Sequence, residues 1–132
     1  MKTILFVDDD ANIIEVYRES LRGEGFEVLV AEDGLTAMKL LHSAKPDLVI
    51  LDLTMPKFNG AEVLKFIRNT PVLRHIKVII FSNYFTPEIA HETEKLGANA
   101  SLLKVTCTPE QLINVVKTLL GDGQTGEEQP AQ

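Results

Sequence analysis

Five short apolar runs recur at nearly regular intervals, and they limit the possible folds more than any other feature. The runs are Ile4–Val7, Phe26–Val30, Leu48–Leu51, Val78–Phe81 and Ala100–Leu103. Their first residues lie about 22–30 positions apart, which suits one strand, one helix and two short loops. Segments with apolar residues at helical spacing lie between the runs and after the last one. The pattern predicts a strand followed by a helix, five times over.

The first, third and fourth runs are continuously apolar, which is typical of strands covered on both faces in a parallel sheet. Helix signals agree with this order. Asp10, Thr86 and Thr108 are predicted N-caps, and Lys45-Pro46 and Gly97 are predicted helix ends. The fold class is therefore α/β, a doubly wound parallel sheet with right-handed crossovers.

Composition excludes several classes of protein. The chain has 132 residues, about one domain, and no apolar run approaches the length of a membrane span. No signal peptide is visible, which predicts a cytoplasmic protein. A single cysteine, Cys107, excludes an internal disulfide and a cysteine-based zinc site. The net charge of −6 argues against direct nucleic-acid binding. Residues 1–120 form the predicted domain, and 121–132 are expected to be a disordered acidic tail or linker stub.

Polar residues follow four of the predicted strands, at the sheet edge where parallel α/β proteins place their sites. Asp8 and Asp9 follow the first strand, Asp52 the third, Ser82 the fourth and Lys104 the fifth. If the first and third strands are neighbours, the three carboxylates converge and repel unless a cation compensates. Mg²⁺ with retained waters fits such an oxygen-rich, partly exposed site.

Lys104 would add a mobile positive charge and Ser82 a hydroxyl donor. Such surroundings suit a phosphoryl group on one carboxylate, since each of its oxygens would have a partner. Taken singly, these residues have ordinary explanations. Asp8 and Asp9 could simply favour a helix N-terminus, and a lone lysine such as Lys104 is usually solvated. The joint pattern points to function because the residues end separate strands at one edge.

With these residues identified, the chain resembles CheY-like receiver domains of bacterial two-component response regulators. The resemblance covers about residues 2–120. It rests on four features: Asp8-Asp9 within Phe6-Val7-Asp8-Asp9-Asp10; Asp52 within Leu51-Asp52-Leu53-Thr54-Met55-Pro56, followed by Gly60; Ser82; and Lys104. It implies a flavodoxin-like sheet in the order 2-1-3-4-5 and a phosphoacceptor domain that is regulatory rather than an enzyme, and that promotes its own phosphorylation and dephosphorylation.

The resemblance also implies roles for individual residues. Asp52 matches the phosphoacceptor, and Asp8 and Asp9 match the acidic pair that holds Mg²⁺, with Asp9 expected to bind the ion directly. Asp52 and the backbone carbonyl of Thr54 match the remaining protein ligands. Ser82 matches the hydroxyl that moves onto the phosphoryl group, and Lys104 the lysine that pairs with it.

The implied partners are a sensor histidine kinase or histidine phosphotransfer protein, and a downstream output domain or docking protein. The expected output surface is the face of the fourth helix, fifth strand and fifth helix. Neither nucleic acid nor membrane is an expected partner.

Three positions depart from the family pattern. Val105 follows the lysine where proline is usual, and Asn83 follows Ser82 where a small residue is common. Ser101 replaces the usual aromatic residue of the fifth strand, which puts the standard conformational switch in question. Tyr84 is a candidate to substitute in part for that aromatic, or to screen the site from water.

Other functions remain alternatives at this point. A receiver-like interaction module without regulated phosphorylation is disfavoured by the full set of site residues. A phosphatase of the haloacid-dehalogenase type needs a second acid two positions after its nucleophile, where Thr54 stands. A flavodoxin-like electron carrier is disfavoured because Asp8-Asp9-Asp10 would repel the flavin phosphate.

Overall fold

The computed structural model describes residues 1–53, 60–83 and 86–121, and within them five strands alternate with five helices. The strands are β1 (Thr3–Val7), β2 (Glu27–Ala31), β3 (Leu48–Leu51), β4 (Lys77–Ser82) and β5 (Ala100–Leu103). The helices are α1 (Ala11–Gly23), α2 (Gly34–Ala44), α3 (Gly60–Asn69), α4 (Pro87–Lys95) and α5 (Pro109–Leu120). A short 3-10 helix, Lys104–Thr106, lies between β5 and α5.

The strands form one parallel sheet in the order β2-β1-β3-β4-β5. This confirms the doubly wound α/β fold and the strand order that the family resemblance implied. The chain leaves β1 toward β2 on one side and later returns to β3 on the other. The strand order therefore reverses between β1 and β3, where open α/β sheets place their sites.

Each face of the sheet is covered by helices, so the protein has three layers. One apolar core lies between the sheet and α2 and α3, and the other lies between the sheet and α1 and α5. In β1, Leu5 and Val7 contribute to the first core, whereas Ile4 and Phe6 contribute to the second. This two-sided burial explains why the central strands are continuously apolar in sequence.

The predicted helix ends are confirmed where the structure describes them. The Asp10 carboxylate accepts hydrogen bonds from the first amides of α1, and the Thr86 hydroxyl accepts one in α4. Thr108 and Gln111 form a reciprocal capping box at the start of α5. Lys45 ends α2 with a φ of 47°, in the left-handed region.

A guanidinium clamp, which the sequence did not indicate, holds the amino ends of β4 and β5 together. Arg68 Nη2 donates to the Gly97 carbonyl at 2.7 Å and Arg68 Nη1 donates to the Ile76 carbonyl at 2.7 Å. Asn99 Oδ1 accepts from the Val78 amide at 2.8 Å and from Arg68 Nη2 at 3.0 Å. Since Gly97 follows α4 closely, this clamp of Arg68, Gly97 and Asn99 anchors the end of that helix.

Helix α4 is thinly covered by the rest of the protein. Thr93 is its buried residue, and Ile89 and Ala90 are half-buried. None of the described helices combines the length and apolar composition needed to cross a membrane.

Candidate functional site

Strand register brings Asp8 and Asp52 side by side. Val7 of β1 pairs with Leu51 of β3, so the next residue of each strand leaves the sheet at the same level. The Asp52 amide donates to the Val7 carbonyl at 3.0 Å, which extends the pairing one residue past the strand. The convergence predicted from neighbouring first and third strands is therefore confirmed.

Asp9 completes a cluster of three acids. One carboxylate oxygen from each of Asp8, Asp9 and Asp52 lies within 4.8 Å of the others. Asp8 and Asp52 are 0% and 5% exposed, whereas Asp9 is exposed. A donor set made only of carboxylate oxygens suits a hard cation. The cluster is therefore able to bind a metal ion.

Lys104 provides a positive charge within this cluster. Its Nζ lies 2.6 Å from Asp8 Oδ2 and 3.4 Å from Asp52 Oδ2, and its side chain is 3% exposed. Burial lowers the pKa of the ammonium, but the hydrogen bond to Asp8 and the charges of Asp52 and Asp8 outweigh it. As a result, the pKa of Lys104 is raised above its usual value. The lysine is thus a buried, paired cation, not the mobile charge that the sequence suggested.

The reach of Lys104 depends on the 3-10 helix. Three strand spacings separate β5 from β1, about 14 Å in a flat sheet, which is longer than a lysine side chain. The strand ends at Leu103, as the fifth apolar run predicted, and Lys104 begins the 3-10 helix. The turn carries Lys104 back over the sheet edge, and this allows its ammonium to meet Asp8.

Ser82 is buried at the end of β4, 2% exposed, with Leu103 as its pairing partner on β5. It comes two residues after Ile80, which pairs with Leu51, so it lies at the same sheet edge as the acids. Two residues with expected roles lie outside the described residues. They are Thr54, whose carbonyl the resemblance implied as a metal ligand, and Tyr84, the candidate to substitute for the aromatic residue or to screen the site.

The positions that depart from the family pattern have distinct surroundings. Val105 is 72% exposed, and the described peptide bonds, including the one that precedes it, are all trans. Asn83 is exposed. Ser101 is half-buried in β5 and pairs with Ile80 of β4.

Comparison with known proteins agrees with this geometry. Residues 4–117 match the sequence model of the response regulator receiver domain. The chain belongs to this family. It is 28% identical over 121 residues to the polar-differentiation response regulator DivK of Brucella anthropi, covering 92% of this chain and 98% of DivK.

Solved receiver structures share the fold. The chemotaxis response regulator CheY4 of Vibrio cholerae has a TM-score of 0.84 and 28% identity, with 90% of this chain and 98% of that chain covered. The Mn²⁺-bound form of response regulator Rcp1 has a TM-score of 0.80 and 25% identity, with 97% and 100% covered. The chain is thus a receiver domain of two-component signalling, a regulatory class that works with histidine kinases and downstream partners.

Gly60 supports the site of this receiver domain in a way that the sequence did not reveal. Gly60 is the first residue of α3, and it lies against the backbone of Asp52. A Cβ at Gly60 would lie 2.3 Å from the Asp52 carbonyl oxygen and 2.8 Å from Leu53 Cα. A Gly a few residues after an acid is a weak sequence signal, since turn formation alone accounts for it.

We expect Gly60→Ala to destabilise the receiver domain, because the added methyl group forces the end of β3 away from the start of α3. The free energy of unfolding should fall by about 1–3 kcal/mol in urea denaturation. Gly23→Ala is the matched control, because a Cβ there meets nothing within 4 Å. Equal stability of the two variants would contradict the close approach at Gly60.

Proposed function

We propose that this receiver domain accepts a phosphoryl group on Asp52 from a phosphohistidine, in a reaction that depends on Mg²⁺. The donor is a sensor histidine kinase or a histidine phosphotransfer protein in the cytoplasm, and the recipient of the signal is an output domain or docking protein. One observation supports this most directly: the Asp52 carboxylate lies among two further acids and the Lys104 ammonium at one sheet edge.

The charge of the cluster supports a divalent cation. Three carboxylates and one ammonium leave two excess negative charges in a largely buried site. A divalent cation held by these acids would cancel the excess charge and would supply positive charge to stabilise the phosphoryl group. Similarity to the Mn²⁺-bound response regulator Rcp1 supports the same assignment. Asp8, Asp9, Asp52 and the Thr54 carbonyl are the proposed ligands.

The transfer itself needs little of the protein beyond positioning and charge. A carboxylate oxygen of Asp52 forms a bond to phosphorus while the phosphorus–nitrogen bond of the donor histidine breaks, and the electron pair stays on the imidazole. Lys104 neutralises charge on the phosphoryl oxygens, and the Ser82 hydroxyl donates to one of them. In dephosphorylation, a water molecule attacks phosphorus, the bond between phosphorus and the Asp52 oxygen breaks, and phosphate leaves. The domain thus promotes both reactions on itself and turns over no separate substrate.

Asp52→Asn should abolish phosphorylation, because an amide oxygen is a poor nucleophile. The substitution also removes the third carboxylate of the cluster. Intact mass after incubation with acetyl phosphate and Mg²⁺ should show a gain of one phosphoryl group in the wild type and none in the variant. Asp10→Asn is the control, since asparagine also caps a helix. Full labelling of Asp52→Asn would refute the assignment.

Asp8 and Asp9 have different surroundings, which predicts different contributions to metal binding. Asp8 is fully buried; its Oδ1 accepts from the Asp10 amide at 3.0 Å and its Oδ2 pairs with Lys104. The Asp9 carboxylate is exposed at the edge of the same cluster. Asp9 is therefore the proposed direct ligand, and Asp8 is proposed to act through water.

Asp9→Asn should raise the Mg²⁺ concentration needed for half-maximal labelling by about tenfold or more, and Asp8→Asn by less. The measurement is the rate of labelling by acetyl phosphate across a Mg²⁺ titration, with excess EDTA as the zero point. Without Mg²⁺, thermal unfolding of Asp9→Asn should not shift downward, because removing a charge relieves repulsion. Undiminished labelling in EDTA, or a larger effect of Asp8→Asn, would contradict the ligand assignment.

The proposed output surface consists of α4, β5 and α5. Helix α4 buries little beyond Thr93, whose hydroxyl donates within the helix to the carbonyls of Ile89 and Ala90. Few tertiary contacts therefore oppose a movement of α4. Its C-terminal end is anchored by the clamp of Arg68, Gly97 and Asn99. A change at Ser82 should therefore move the N-terminal end of α4 more than its C-terminal end.

Beryllofluoride, a phosphoryl mimic, should shift backbone amide signals at residues 82–90 and 103–108. Residues 97–99 should shift little, because the clamp holds them. We expect the Ser101 side chain to remain half-buried in both states, since it lacks the bulk of the usual aromatic. NMR shifts limited to the neighbours of Asp52, with none in 82–90, would show that this coupling is absent.

A further inference from the structure

Tyr17 links helix α1 to the segment that follows Lys104. Its phenol O–H donates to the carbonyl of Cys107 at a distance of 2.5 Å, and this hydrogen bond is buried. The two residues lie 90 positions apart in sequence. The bond is therefore a tertiary contact that no local propensity of either segment requires.

The ring of Tyr17 has a structural role that does not need the hydroxyl. It packs edge-on to Phe81 with ring centroids 5.0 Å apart, and its centroid lies 6.3 Å from that of Phe6. A phenylalanine would fill the same space with the same edge-to-face geometry. Burial raises the pKa of Tyr17, so the phenol remains protonated and able to donate. Ring packing therefore accounts for an aromatic residue at position 17 but not for its buried hydroxyl.

The segment 104–107 is held only weakly by its own hydrogen bonds. The Cys107 amide donates to the Lys104 carbonyl at 3.3 Å, and the Thr106 hydroxyl donates to the Leu103 carbonyl at 3.3 Å. Val105 and Thr106 are exposed and bury little surface. The buried bond from Tyr17 joins this segment to α1 and acts together with the Cys107 side chain, which packs in the apolar core.

The position of this segment determines where the Lys104 ammonium lies. Lys104 pairs across the ends of β4 and β3 with Asp8, which directly follows β1. Because the ammonium is attached to the backbone of this segment, a displacement of the segment also displaces the ammonium. A movement of 1 Å at the 3-10 helix would change the 2.6 Å contact with Asp8 substantially.

We propose that Tyr17 is a positioning residue whose hydrogen bond to the Cys107 carbonyl fixes the segment 104–107 and thereby holds the Lys104 ammonium between Asp8 and Asp52. The consequence for phosphoryl binding rests on the proposed function. The positioning itself is a property of the unphosphorylated protein, and it is measurable without phosphorylation.

The test uses Tyr17→Phe, which keeps the ring and removes the hydroxyl. In the free protein, amide hydrogen exchange at 104–107 and the NMR mobility of the Lys104 ε-methylene group should both increase. Ser20→Ala is the matched control. It also removes a hydroxyl of α1 that donates to a backbone carbonyl, that of Val16, but at an exposed site. It should change neither measurement.

A second measurement asks whether Tyr17 acts through Lys104. Beryllofluoride affinity in saturating Mg²⁺ is compared for Tyr17→Phe, Lys104→Met and the double variant. The loss of one hydrogen bond should weaken affinity about three- to tenfold when Lys104 is present. In the Lys104→Met background, Tyr17→Phe should change affinity less than twofold, because the group that it positions is gone.

The outcomes are distinguishable. Unchanged exchange at 104–107 together with unchanged Lys104 mobility would overturn the proposal. An equal loss of affinity in both backgrounds would also overturn it, since Tyr17 would then act through general packing. If the wild type neither binds beryllofluoride nor accepts phosphate, the proposed function is wrong. The measurements on the free protein then still decide whether Tyr17 positions Lys104.

Discussion

A buried ion cluster at the sheet edge imposes the strongest constraint on this structure. Asp8 is fully buried, Asp52 is 5% exposed, and the ammonium of Lys104 lies between them. Burying charges is costly unless they are paired, and two adjacent carboxylates also repel each other. Within the described residues, this arrangement requires β1 and β3 to be neighbours and the chain after β5 to turn back over the sheet. Site chemistry and topology are therefore linked.

The same pairing limits what phosphorylation is able to do. The ammonium of Lys104 is already held by Asp8 and Asp52, so under the proposed function a phosphoryl group on Asp52 would have to compete for it. A ligand shifts an equilibrium only by the difference in its affinity for the two states. Under the proposed function, the driving force for switching would be the difference between two arrangements of the Lys104 side chain, together with the contribution of Ser82.

Much of the fold and of the site was predictable from the sequence, because strands and helix caps are marked by patterns within short segments of chain. The apolar runs, the caps at Asp10, Thr86 and Thr108, and the convergence of Asp8 with Asp52 are all confirmed. What the sequence did not indicate depends on contacts between distant segments. The Arg68 clamp, the close approach of Gly60 to the Asp52 backbone and the burial of Lys104 are examples. No short-range pattern marks an arginine that binds backbone carbonyls, and a lysine at a strand end is usually solvated.

The two edges of the sheet differ in how they are held, and this difference suggests how a signal would travel. At the amino edge, Arg68 and Asn99 tie β4, β5 and the residues after α4 through hydrogen bonds that phosphorylation does not touch. At the carboxyl edge, the ion pairs of Lys104 with Asp8 and Asp52 hold the segment after β5, and the proposed phosphorylation of Asp52 would change them. A helix fixed at one end and weakly packed along its length responds by pivoting, not by translating. Under the proposed function, the extent of that pivot would depend on Ser82 and on the turn that carries Lys104.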